Sequence, residues 1–227
     1  MVAPESVLVP CPHAVFRAGQ ITGMGDQQAV LLIDLGGVLF EFDHQYRLEV
    51  LGSCLGLAPD MTDALLWRSG FSADCDAGRY PSAAMVRAEI RRRTAYTGPD
   101  EDLDAAWCSA FRPDQDVLSM LARHGGQLGV FTNNGPLEEE VLTRLYPRAF
   151  EPFAHLLFCH RLAANKPDRV VYHQVAGLLA VPPARISLAD DSAALCKNVR
   201  VRHLPQATHW IIHDAPDIVR DALLDHL

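Results

Sequence analysis

The chain has 227 residues, 49% hydrophobic and 21% charged, with twenty Lys and Arg against twenty-eight Asp and Glu and a formal charge of −8. That length and balance suit one soluble α/β domain with a sizeable insertion and exclude disorder throughout. The acidic surplus argues against nucleic acid or an anionic membrane as the main partner.

Residues 1–28 carry Pro4, Pro10 and Pro12 and lack a basic start followed by a long apolar core. They are expected to form an N-terminal arm, not a signal peptide or a membrane span. The next stretch, AVLLIDLGGVLFEFD from Ala29 to Asp43, is an apolar run that meets Asp34 and then two glycines. It reads as a buried parallel strand leaving its sheet through a tight turn, with Asp34 at the carboxyl end, where open α/β sheets place their ligands. Between His44 and Pro113 the apolar positions recur at helical spacing, in segments separated by Gly, Pro and Asp turns, with no convincing strand. This span, 44–113, is read as a helical insertion after the first strand, a cover for the sheet or a lid.

From residue 114 the rhythm changes to strand and helix in alternation. DQDVLSMLARHG is helical and Gly125-Gly126 ends it; QLGVFTNN, Gln127 to Asn134, is the second strand. HLLFCHRL, with Leu156 to Leu162 as its core, is a third. RISLADDS, Arg185 to Ser192, is a fourth, entered from a helical segment that a Pro-Pro pair stops, and THWIIHD, Thr208 to Asp214, is a fifth. The expected fold is therefore an α/β, Rossmann-like parallel sheet formed by 29–43 and 114–227, with helices on both faces and the helical insertion over it.

Three of these strands deliver polar groups to one rim: Asp34 from the first, Thr132-Asn133-Asn134 from the second, Asp190-Asp191 from the fourth. Adjacent carboxylates repel unless a cation lies between them, and a hard all-oxygen set suits Mg2+. Lys166 adds a fixed positive charge. An aspartate, a hydroxyl, a lysine and a metal together suit attack on a phosphoryl group, because phosphoryl transfer rests on positioning and charge neutralisation.

In this order, the stretches IDLGGVL, VFTNN, NKPD and LADDS resemble the four motifs of the haloacid dehalogenase superfamily of aspartate-nucleophile hydrolases, over about residues 29 to 214. The resemblance implies a Rossmann-like core and a small helical C1 cap at 44–113. It implies that Asp34 is the nucleophile, that Thr132 and backbone amides around Leu35, Gly36 and Asn133 bind phosphate, and that Lys166 pairs with Asp34 and the phosphoryl group. It further implies a Mg2+ held by Asp34, the carbonyl of Gly36, Asp190 and Asp191.

One position departs from the pattern: Gly36 stands where such phosphatases usually carry a second Asp as acid and base. Asp43 and His44 are the candidate substitutes. Three readings follow. The chain is a Mg2+-dependent phosphomonoesterase acting on a small phosphorylated metabolite, a binding or regulatory protein that has lost turnover, or a 2-haloacid dehalogenase, against which the acidic pair Asp190-Asp191 argues. The six cysteines, including Cys11 and Cys196, form no CxxC pair, and His203 has no partner at zinc spacing, so a reducing cytoplasm without a disulfide framework is expected. Nothing in the sequence indicates an oligomeric state. Arg91, Arg92 and Arg93 read as a solvated helix face, Glu138 to Glu140 as favourable charges in a helix's first turn, and Trp67, Phe71, Trp107 and Phe111 as packing residues.

Overall fold

The computed structural model describes residues 29–192. The arm at 1–28, the strand expected at Thr208 to Asp214, and Cys11, Cys196 and His203 lie outside them.

Among the described residues, four parallel strands form the central sheet in the order β5-β4-β1-β6. They are β1 (Val30–Ile33), β4 (Gln127–Thr132), β5 (His155–Phe158) and β6 (Ile186–Ala189). Val30 pairs with Gln127 on one side and Ile186 on the other, and Gly129 pairs with His155. This register brings the carboxyl ends of β1 and β6 level, Ile33 facing Ala189, while β4, paired with Ile33 at Val130, runs two residues further to Thr132.

Alternation along β1 divides the interior in two. Leu31 and Ile33 belong to a core that includes Trp107, Leu137 and Val141, whereas Val30 and Leu32 meet Phe131, Val171 and Val175 on the other face. Helices therefore cover both faces: α7 (Pro136–Leu145) the first and α9 (Arg169–Leu179) the second. An α/β parallel sheet with helices around it agrees with the sequence reading. The third strand is shorter than expected, because Cys159–Arg161 turns away as a single 3₁₀ turn.

A pair of short strands was not foreseen. β2 (Phe40–Phe42) and β3 (Phe111–Pro113) pair antiparallel, Phe42 opposite Phe111. Three residues are too few for a period-two pattern to declare itself, and Phe111 continues the apolar spacing of the helix before it. Between these strands stand α1 (His44–Leu55), α2 (Pro59–Leu66), α3 (Phe71–Asp76), α4 (Ala83–Thr94) and α5 (Asp100–Trp107).

Local chemistry sets the bounds of these helices. The Asp43 carboxylate accepts from the Tyr46 N–H at 2.9 Å and starts α1, and Gly56, at φ 68°, ends it in the left-handed conformation. Ser82 caps α4 in the same way, Asp114 caps α6 (Gln115–Leu121) and Asp168 caps α9. The insertion is tied to the sheet layer through α7. Arg87 donates to Asp104 at 2.7 and 2.9 Å and to Glu140 at 2.6 Å, and Arg144 donates to Asp104 at 2.7 Å. Arg91 is bound to Asp100 at 2.6 Å, and Arg92 and Arg93 to Glu89 at 2.6 and 2.7 Å, so this arginine run has structural partners. Cys54, Cys75, Cys108 and Cys159 are free thiols, and among the described residues no helix is long and apolar enough to cross a membrane.

Candidate active site

Asp34 sits one residue beyond β1, buried, with its N–H donated to the Ala189 carbonyl of β6 at 2.8 Å. Its Oδ1 accepts from the Leu35 N–H at 2.7 Å and lies 3.1 Å from Lys166 Nζ. Lys166 reaches the same point from the segment before α9. Its ammonium donates to Phe131 O at 3.0 Å and to Asp190 Oδ2 at 2.6 Å, so with Asp34 its three protons face three oxygens.

Asn133 fixes this lysine through two reciprocal bonds: its Nδ2 donates to the Lys166 carbonyl at 2.9 Å, and its Oδ1 accepts from the Lys166 N–H at 2.9 Å. The end of β4 and the backbone of the lysine are thus tied together. Thr132 Oγ1 lies 2.7 Å from Asn134 Oδ1 and also bonds the Asp34 carboxylate. One hydroxyl proton serves one acceptor at a time, and an Asn134 amide turned to donate would leave it for Asp34.

Asp190 and Asp191 follow β6 directly, and carboxylate oxygens of Asp34, Asp190 and Asp191 all lie within 4.8 Å of one another. Asp190 Oδ1 also accepts from the Ser192 N–H at 2.9 Å. Three carboxylates against one ammonium leave an excess of negative charge. Burial, and then Asp190, push the Asp34 carboxyl above its ordinary range against the pull of Lys166. Burial works to lower the Lys166 ammonium, but Asp34 and Asp190 together outweigh it and hold it charged. An all-oxygen donor set carrying that excess fits a hard divalent cation such as Mg2+, held by Asp34, Asp190 and Asp191.

Of the two glycines, Gly37 is the one the geometry demands. Its φ is +80°, and a Cβ there would lie 2.3 Å from Asp191 Oδ2. Gly37→Ala is therefore expected to displace Asp191 and to weaken Mg2+ binding at least tenfold by titration calorimetry. An unchanged affinity would remove Asp191 from the metal site. Gly36 is less constrained, since a Cβ there would sit 3.4 Å from the Phe42 ring and 3.5 Å from the Phe111 ring.

The two candidate substitutes for an acid at position 36 are engaged elsewhere. Asp43 is the exposed cap of α1. His44 Nδ1 lies 2.8 Å from an Arg47 nitrogen and its Nε2 is 3.8 Å from Asp63, while burial and Arg47 lower its basicity. Neither Cys159 nor His160 forms a thiol site: burial pushes the Cys159 thiol up to about 12, and His160 is bound to Glu139 at 2.7 Å.

Sequence reasoning passed over a buried polar group at the foot of the insertion. Arg47 is 5% exposed, and Glu138, expected only to favour a helix dipole, is 3% exposed and accepts from Trp107 Nε1 at 2.7 Å. One signal was available for Arg47, which occupies the face of α1 that Leu51 and Leu55 share at steps of four.

A parallel sheet whose strand ends gather an aspartate, a lysine and an acidic pair beneath a helical insertion defines a haloacid dehalogenase fold, and solved structures agree. A HAD-family enzyme from Bacteroides thetaiotaomicron superposes with a TM-score of 0.68 at 20% identity, over 82% of this chain and 97% of that one. The same enzyme has been solved in complex with magnesium and inorganic phosphate, with a TM-score of 0.66 at 20% identity over 81% and 97%. A predicted HAD-like hydrolase from Porphyromonas gingivalis gives 0.68 at 16% identity over 87% and 98%. The L-2-haloacid dehalogenase of Xanthobacter autotrophicus gives 0.52 at 18% identity over 85% and 83%. No protein-family model and no curated protein sequence matches the chain.

Proposed function

We propose that this chain is a hydrolase of the haloacid dehalogenase superfamily, a Mg2+-dependent phosphomonoesterase acting on a small soluble phosphorylated metabolite through Asp34. The observation that carries this reading is the convergence of Asp34, Asp190 and Asp191 within 4.8 Å, with Lys166 bound to two of them. The dehalogenase of this fold and the relative crystallised with magnesium and phosphate stand for different chemistries. The acidic pair favours the second, because a metal-binding carboxylate cluster has no use in displacing halide from a carbon.

In the proposed reaction an Asp34 oxygen forms a bond to phosphorus as the ester oxygen leaves with its electron pair and takes a proton from a water molecule, giving an aspartyl-phosphate and an alcohol. Water then attacks phosphorus, restoring the Asp34 carboxylate and releasing inorganic phosphate. Lys166 keeps the nucleophile ionised and oriented, and it neutralises charge on the phosphoryl oxygens. Thr132 and the backbone N–H groups of Leu35, Gly36 and Asn133 bind those oxygens. When bound, Mg2+, with the Gly36 carbonyl as a further ligand, supplies charge neutralisation at the phosphoryl group. The five-helix insertion at 44–113 serves as the cap, keeping bulk water from the intermediate.

The test is phosphate release from p-nitrophenyl phosphate and a panel of sugar phosphates and nucleotides. Turnover with Mg2+ and none with EDTA is the expected result; no turnover on any of them would favour the binding protein. Gly36 is what favours that second reading, since it moves no proton. Gly36→Asp, for which a Cβ has room at 3.4 Å, is expected to raise kcat on alkyl phosphates by about 10- to 100-fold if only the acid is missing. A flat or lower rate would place the acid in another group.

A further inference from the structure

The polar group at the foot of the insertion has more hydrogen-bonding capacity than it uses. Arg47 Nε and Glu138 Oε2 are buried and have no partner. Unpaired buried donors and acceptors are rare and costly, so these two atoms call for an occupant. They are close to each other in charge terms, because Glu138 and Asp76 both act on the Arg47 guanidinium. Asp76 ends α3 and accepts from the Gly135 N–H, three residues beyond Thr132.

This group lies beside the turns that follow β1 and β4. The Phe42 ring, against which a Cβ at Gly36 would rest at 3.4 Å, carries the Arg47 guanidinium 5.1 Å from its centroid. A Cβ at Gly135 would meet Cys75 at 3.0 Å and Glu138 Oε2 at 3.2 Å, so the turn after β4 brings insertion and sheet layer together here. Both Asp34 and Asp76 act on the Cys159 thiol, which places Asp76 within electrostatic range of the nucleophile's surroundings.

We propose that Arg47, Glu138 and Asp76 form the subsite for the substrate's leaving group, and that this group is rich in hydroxyls, a polyol or sugar. The inference rests on the phosphatase reading above and specifies its substrate. A hydroxyl both donates and accepts, so a hydroxyl-bearing group can answer the Arg47 Nε–H and the Glu138 Oε2, which neither a methylene nor a second carboxylate does. Burial and the neighbouring Glu138 hold the Asp76 carboxyl well above its ordinary range.

The experiment compares kcat/KM with Mg2+ for ribose 5-phosphate, glucose 6-phosphate and glycerol 1-phosphate against p-nitrophenyl phosphate, in wild type, Arg47→Met and Glu138→Gln. A site built to bond a hydroxyl rejects what lacks it. Each variant is therefore expected to lose at least tenfold more on the best hydroxyl-bearing substrate than on the phenyl ester. Equal losses on both, no loss on either, or wild-type turnover of the phenyl ester alone overturns the subsite and leaves the phosphatase reading standing. If wild type turns over nothing, that reading falls, and calorimetry with the same three phosphates decides. Binding weakened at least tenfold by Arg47→Met supports the subsite; no binding, or equal binding, overturns it. Glu138→Gln, nearly isosteric and able to keep the Trp107 bond, carries the test should Arg47→Met fail to fold.

Discussion

Asp34→Asn is expected to abolish Mg2+-dependent phosphate release, by at least about a thousandfold, while leaving the protein folded. The amide matches the carboxylate in shape and can still accept from Leu35 N–H, which lies 2.7 Å from Oδ1, so the turn after β1 keeps its geometry. What it loses is the charge that attacks phosphorus. It also removes one of the three carboxylates that crowd within 4.8 Å, so the metal-free melting temperature should not fall below that of wild type. Residual turnover above a tenth of wild type would exclude a covalent step through Asp34. A fall in melting temperature of many degrees would instead make the residue chiefly structural.

Lys166→Met tests the other half of the cluster and should damage the fold as well as the rate. Lys166 is 3% exposed, and its ammonium meets Asp34 at 3.1 Å, Asp190 at 2.6 Å and the Phe131 carbonyl at 3.0 Å. Methionine preserves most of the volume and none of these bonds, leaving two buried carboxylates facing each other. Removing one partner of a buried ion pair costs about 3 to 5 kcal/mol, because the remaining charge is desolvated without compensation. Urea unfolding at pH 7 without metal should show that loss, and Mg2+ should recover part of it by supplying another cation. Phosphate release should fall at least about a hundredfold. A variant as stable as wild type would mean that the carboxylates take up protons once the lysine is gone, and unchanged turnover would remove Lys166 from the chemistry.

The rim residues were legible in the sequence because each stands in a pattern that backbone geometry enforces. Asp34 and Asp190-Asp191 each follow a short apolar run, Thr132 closes another, and parallel strands deliver such ends to one edge. Lys166 was legible as a positive charge for the rim, but nothing in NKPD announces that its ammonium will sit between two aspartates from different strands. The clamp formed by Asn133 and the Lys166 backbone had no local signal, because its partners are thirty-three residues apart.

Arg47, Asp76 and Glu138 mark where that kind of reading stops. Glu138 in the first turn of α7 satisfies a general rule about helix dipoles, and the rule hides that its carboxylate is buried against Trp107. Asp76 looks like an ordinary helix-end acid until Gly135 is seen to donate to it. The β2–β3 pair escaped for a related reason: three residues a side acquire meaning only when paired.

By itself, then, the sequence determined the alternation of strands and helices, the helical insertion, and the identity of the residues at the rim. These follow from side-chain periodicity and from turn and cap chemistry, which act over a few residues. Only the tertiary structure decided which of the two glycines must be one, how three protons of Lys166 are shared among three oxygens, and that Arg47 of the insertion and Glu138 of the sheet layer are each buried with an unpaired atom. Those outcomes depend on burial and on distances between segments far apart in the chain, where desolvation makes each charge and each unpaired atom matter.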